Sequence, residues 1–103
     1  MTDLERIEDL RRRVQQDPAS IAFAQLTEEL RRTGRHQEAV DTCRAGLALH
    51  PEYVSARVTL GRALLALDRA GDAAAELGLV LATAPDNLAA MRAMADACRR
   101  QGR

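Results

Sequence analysis

The chain is predicted to be all-α and to consist of stacked helical units rather than elements around one globular core. Three observations predict this. Residue types recur 34 positions apart: Leu26 with Leu60, Leu30 with Leu64, Ala39 with Ala73, Leu47 with Leu81, Pro51 with Pro85, and Ala22 with Ala56 and Ala90. A fixed period of this size marks repeated supersecondary units, each burying its apolar face against the next. The composition favours helices, since Ala, Leu, Arg, Glu and Gln dominate and runs of β-branched or aromatic residues are missing; Phe23 and Tyr53 are the only aromatics. Finally, Pro and Gly punctuate apolar stripes that have helical spacing.

These stripes predict five helices and part of a sixth element. The first helix spans about Asp3 to Gln16, with Leu4, Ile7, Leu10 and Val14 on one stripe. Thr2 and Glu5 have the spacing of a capping box. Asp17-Pro18 ends the helix, because the residue before proline disfavours the helical conformation. The second spans about Ala19 to Arg32, with Phe23, Leu26 and Leu30 inward, and stops at Gly34, which accepts a left-handed cap. The third, about Gln37 to Leu49, turns Val40, Cys43 and Leu47 inward and closes at His50-Pro51. The fourth spans about Val54 to Leu67, with Leu60, Leu64 and Leu67 on its stripe. The fifth runs from about Asp72 to Thr83, with Leu77, Val80 and Leu81 inward. The last element begins near Asn87, carries Met91, Met94 and Cys98, and ends at Gln101-Gly102. Short connections make neighbouring helices antiparallel hairpins. Without a Gly/Ser-rich or Pro-rich linker, one domain is expected.

Composition also excludes functions. The formal net charge is zero, which gives no global attraction to nucleic acid or anionic membrane. The 15 strongly basic residues are all Arg, a usage that points to a GC-rich, bacterial source. Cys43 and Cys98 are too few for a disulfide framework. No stretch stays apolar for the roughly 20 residues of a membrane span. The N-terminus is charged from Asp3 onward, unlike a secretory signal, so the expected location is cytoplasmic. Arg11-Arg12-Arg13 lies beside Glu5, Glu8 and Asp9 and reads as a salt-bridged, solvated face. No Cys/His spacing suits zinc, no Gly-rich phosphate loop is present, and Ser20, Ser55, His36 and His50 assemble no nucleophile and base. No enzyme, cofactor or metal site is expected. His50, at a helix C-terminus, is read as a partner of the helix dipole.

The spaced residues resemble the tetratricopeptide repeat family. A first repeat offers Phe23, Leu26-Thr27, Leu30, Ala39, Cys43 and Pro51; a second offers Arg57, Leu60-Gly61, Leu64, Ala73, Leu77 and Pro85. A third begins with Met91, Met94-Ala95 and Cys98. Pro18 matches Pro51 in role, 33 rather than 34 residues before it. The resemblance implies a right-handed α-solenoid of antiparallel helix pairs with about two and a half repeats: a half-repeat helix at 1–17, repeats at 18–51 and 52–85, and the first helix of a third at 86–103. The departures are the sparse aromatics, Arg57 at a usually bulky apolar position and Thr27 for glycine, from which a looser core is expected.

The resemblance further implies a non-catalytic scaffold for protein–protein interaction, whose first helices line a concave groove. Carried over, the groove positions are Ala24, Glu28, Arg31 and Arg32, then Ser55, Val58, Arg62, Leu65 and Ala66, then Arg92, Asp96, Arg99 and Arg100. Six arginines against two carboxylates make the groove basic. Guanidinium groups grip carboxylates bidentately, so a protein or peptide partner of acidic character is expected. The candidate binding residues are Arg31, Arg32, Val58, Arg62, Leu65, Arg92 and Arg99. The competing reading pairs Glu28 with Arg31 or Arg32, and Arg92 with Asp96, along solvated helix faces. The family's chaperone-tail clamp is excluded, because Ala24, Glu28, Thr59, Ala89 and Ala93 stand where it needs Lys and Asn. Met91, Ala95 and Cys98 would face a missing second helix. This suggests either a fragment of a longer array or self-association into a homo-oligomer. Cys43 and Cys98 themselves read as small buried apolar residues.

Overall fold

A computed structural model describes residues 1–102, and these residues form six helices: α1 (Asp3–Gln16), α2 (Ala22–Arg32), α3 (His36–Leu49), α4 (Val54–Ala66), α5 (Ala70–Thr83) and α6 (Leu88–Arg100). The count is six where five and part of a sixth element were expected, the sixth being the helix placed at 86–103 as the first of a third repeat. Asn87 caps it, its side-chain oxygen accepting from the Ala90 amide at 2.9 Å, and Ala90, Ala93 and Ala97 are buried along its inner face. The segment Arg31-Arg32-Thr33-Gly34-Arg35 recurs two periods on as Arg99-Arg100-Gln101-Gly102-Arg103, of which Arg103 lies outside the described residues.

Each helix packs on the next in sequence, and α4 also packs on α2 and α6. The even-numbered helices therefore form one continuous layer, while α1, α3 and α5 sit on its other side without packing on one another. The result is elongated, 41 × 25 × 19 Å. Among the described residues the backbone of α1 approaches only that of α2 closely, with Arg11 reaching across to Glu38 of α3, so only part of its stripe is covered. Ile7 and Leu10 are buried, but Leu4, expected inward, is 52 % exposed in the first turn.

Local hydrogen bonds explain the helix ends. The predicted capping box is present, with the Glu5 amide donating to Thr2 Oγ1 at 3.1 Å. The second helix starts three residues later than expected. Asp17 to Ser20 form a turn, with the Ser20 amide donating to the Asp17 carbonyl at 2.9 Å and the Ala22 amide to Ser20 Oγ at 3.1 Å. Side chains that bond the nearby backbone compete with helix here. After α2, Gly34 takes φ +86° and the Arg35 amide reaches the Leu30 carbonyl at 2.8 Å, a Schellman closure.

The same closure follows α4, where the Arg69 amide meets the Leu64 carbonyl at 2.9 Å, yet the left-handed position is held by Asp68 at φ 61°. A side chain there carries a steric cost that glycine avoids. Asp68→Gly is expected to stabilise the chain by about 0.5–1 kcal/mol, read as a higher urea midpoint at unchanged slope.

The two repeats fill their helix crossings with opposite size pairs. In α4 and α5, Gly61 lies under Leu77: a methyl at Gly61 would come within 2.8 Å of the Leu77 side chain. The equivalents 34 residues earlier, Thr27 and Cys43, share the volume as two mid-sized residues, both buried. Thr27 Oγ1 donates to the Phe23 carbonyl at 2.8 Å and Cys43 Sγ to the Ala56 carbonyl at 3.2 Å. Burial pushes the Cys43 thiol up to about 11, as expected of a group that is costly to ionise away from water. Phe23 packs over Gly46 of α3, where any side chain would enter its ring. The expected looseness at Thr27 is therefore absent, because the opposing residue is correspondingly small. Both cysteines are free, Cys43 buried and Cys98 half-buried.

Arg57, the other departure, is also accommodated. Its guanidinium donates to Glu76 at 2.7 Å and to the Pro51 carbonyl at 2.8 Å, with the side chains only 17 % and 20 % exposed. His50 does more than sit at a helix end. Its ring stacks on Phe23 at 5.9 Å between centroids, with Nε2 against the Ala19 carbonyl, joining the loop after α3 to the turn before α2.

Candidate partner-binding groove

The 34-residue period sets up the groove. Glu28, Arg62 and Asp96 are one ladder of equivalent positions, and Arg31, Leu65 and Arg99 are another. Packing of α2 on α4 and of α4 on α6 brings these ladders side by side. Between the three helices lies a cleft of about 410 Å³ lined by Arg31, Arg62, Leu65, Ala66, Ala89, Arg92, Ala93, Asp96 and Arg100. Leu65 and Ala93 are nearly buried and, with Ala66 and Ala89, form an apolar floor. A shallower depression of about 300 Å³ continues between α2 and α4, lined by Ala24, Gln25, Glu28, Tyr53, Ser55, Ala56 and Thr59.

The four guanidinium groups are not equivalent. Arg31 is taken by Glu28, to which its Nε donates at 3.2 Å with a second bond from Nη2. Arg100 donates to the Leu65 carbonyl at 2.6 Å and to Asp96 at 3.1 Å, tying α6 to the end of α4. Arg62 and Arg92 are exposed and make no ion pair among the described residues. Glu28 is held below the usual carboxylate range, first by its hydrogen bonds from Arg31, against some cost of burial, with the Arg31 and Arg62 charges adding to the effect.

Of the expected binding residues, the cleft unites Arg31, Arg62, Leu65 and Arg92. Arg32 turns to Asp3 and Glu29, 2.5 and 2.8 Å away, and not to Glu28. Val58 is 6 % exposed and Arg99 stands outside the lining. The expected Arg92–Asp96 pair does not form; Asp96 is engaged by Arg99 and Arg100 from the following turn. Ala89 and Ala93 were not among the expected contacts, although two small residues four apart on one helix face were the available signal.

Other surfaces differ in character. A more apolar cleft of about 520 Å³ opens between α1 and α3 over Phe23, Leu26 and Leu49, spanned by an Arg11–Glu38 bridge. The Arg11–Arg13 run is salt-bridged as expected, to Glu8, Glu38 and Asp9, whereas Glu5 serves the helix cap. On α6, Leu88 and Met91 are 56 % and 45 % exposed, Ala95 is exposed and Cys98 is half-buried. Among the described residues no three His, Cys, Asp or Glu side chains gather as metal ligands, and no helix is long and apolar enough to cross a membrane.

The tetratricopeptide repeat family model matches residues 30–98, well over half of the chain. The chain belongs to the tetratricopeptide repeat family. A search of curated proteins finds no match. Tetratricopeptide repeats are, as a class, protein-interaction modules, so the groove between α2, α4 and α6 is the surface against which a function is sought.

Proposed function

We propose that this tetratricopeptide repeat chain is a non-catalytic scaffold that holds an acidic peptide or helix of a partner protein in the groove of α2, α4 and α6. In this reading the six helices are a right-handed solenoid of about two and a half repeats, divided at 1–17, 18–51, 52–85 and 86–103, working in the cytoplasm without nucleic acid or membrane. The observation that carries it is the pair of guanidiniums that make no ion pair among the described residues, Arg62 and Arg92, beside the apolar side chains of Leu65, Ala66, Ala89 and Ala93. Charged rims around an apolar base give orientation from the first and affinity from the second.

The test is capture of partners from lysate of the source organism by the native chain, by Arg62→Glu and by Arg92→Glu. Partners should fall at least tenfold with either reversal, since each replaces an attraction by a repulsion worth more than about 1.4 kcal/mol. Partners retained equally by all three chains would move the site to another surface.

A second reading, self-association, draws support from the exposed apolar side chains of Leu88 and Met91 on α6. A homodimer through Met91, Ala95 and Cys98 would persist in light scattering on dilution without any ligand and dissolve in Met91→Asp.

A further inference from the structure

We infer that Glu28 is a built-in stand-in for a partner carboxylate: it occupies Arg31, so the groove accepts a single carboxylate at Arg62 and Arg92, and a second acidic side chain on the ligand gains nothing. The inference rests on the groove reading above and narrows its ligand to a segment with one acidic group on an otherwise uncharged stretch.

The geometry sets the roles. Both nitrogens of the Arg31 fork that face Glu28 donate to it, one to each carboxylate oxygen. That is the arrangement a bound Asp or Glu side chain would otherwise adopt. Arg100 is similarly committed, to Asp96 and the Leu65 carbonyl. Two of the four guanidiniums lining the cleft are thus used internally and two are not. The lowered pKa of Glu28 agrees with this, since the attraction from Arg31 that favours its ionised form is the attraction a ligand would have to displace.

Glu28 also explains why a groove with this many arginines need not attract every polyanion. A ligand bearing two carboxylates would bring its second charge close to the ionised Glu28. Specificity here comes from a repulsive element as much as from an attractive one.

The test uses two ¹⁵N-labelled chains, native and Glu28→Gln, titrated with two blocked, otherwise uncharged heptapeptides. One peptide contains a single Glu and the other two Glu residues. For the native chain the two-Glu peptide should bind no more tightly than the one-Glu peptide. In Glu28→Gln the two-Glu peptide should gain at least fivefold over the one-Glu peptide, because Arg31 becomes available. Adding Arg31→Ala to that variant should remove the gain. The exchange of Glu for Gln is isosteric on a half-exposed helix face, and circular dichroism checks that the fold is retained.

An unchanged peptide ratio in Glu28→Gln, with binding still weakened by Arg62→Glu, would overturn the inference and leave the groove reading standing. If neither peptide shows binding that Arg62→Glu weakens, the groove reading falls and the inference falls with it.

Discussion

Gly46→Ala is expected to destabilise the chain by about 3 kcal/mol, the upper end for an overpacked core. In most helix interiors the same change stabilises by about 1 kcal/mol, because Ala is the better helix former. The sign inverts here because the added methyl would fall within the Phe23 ring. Phe23 is held by its neighbours: it is 1 % exposed, its ring stacks on His50 and it packs edge-to-face with Tyr53 at 5.7 Å. Urea denaturation followed by circular dichroism measures the change. The decisive control is Phe23→Leu, which removes the obstructing ring. The double variant should recover most of the loss caused by Gly46→Ala, because the two changes share one space and are not additive. A Gly46→Ala chain as stable as the native one would mean that the ring does not occupy this crossing.

Breaking the Arg57–Glu76 pair is expected to have the next largest effect. Glu76→Ala should cost about 2–3 kcal/mol, chiefly because the Arg57 guanidinium is left with only the Pro51 carbonyl in a mostly enclosed place. Arg57→Leu should cost a similar amount by stranding the carboxylate. Replacing both residues by Leu should come close to the native stability, since ion pairs in such positions are often no better than an apolar pair of similar volume. Repeat 1 provides the precedent, with Phe23 and Thr42 at the equivalent positions. A double-mutant cycle read by thermal or urea unfolding gives the coupling. A value near zero would make the pair an ordinary surface contact.

Much of the helix framework was legible beforehand because it depends on local spacing. Val40, Cys43 and Leu47 lie inward on α3, and Leu26 and Leu30 on α2, as their stripes required. Leu4 belongs to an equally regular stripe and is exposed, because a stripe says which way a residue faces and not whether anything covers it. The second helix began late for a similar reason. Pro18 is compatible with a helix start, but Asp17 and Ser20 hydrogen-bond to the local backbone and hold a turn.

The candidate groove divides along the same line. Arg31, Arg62, Leu65 and Arg92 could be placed on one surface because equivalent positions of stacked repeats must share a face. Their pairing could not be read. Arg92 and Asp96 have the spacing of a helical ion pair, yet Asp96 goes to Arg99 and Arg100. Long side chains have several rotamers of similar energy, and the choice among them is made by what the neighbouring helix offers, in this case the Leu65 carbonyl at the end of α4, which also accepts from the Asp68 amide.

By itself, then, the 34-residue period determined the family, the all-helical framework and the face on which the arginines stand, since all three follow from spacing along the chain. Only the tertiary structure decided that Thr27 and Cys43 replace a glycine–leucine crossing, and that, of the four guanidiniums lining the cleft, Arg62 and Arg92 make no ion pair. Those outcomes depend on distances between side chains of different helices, and no spacing within one helix encodes them.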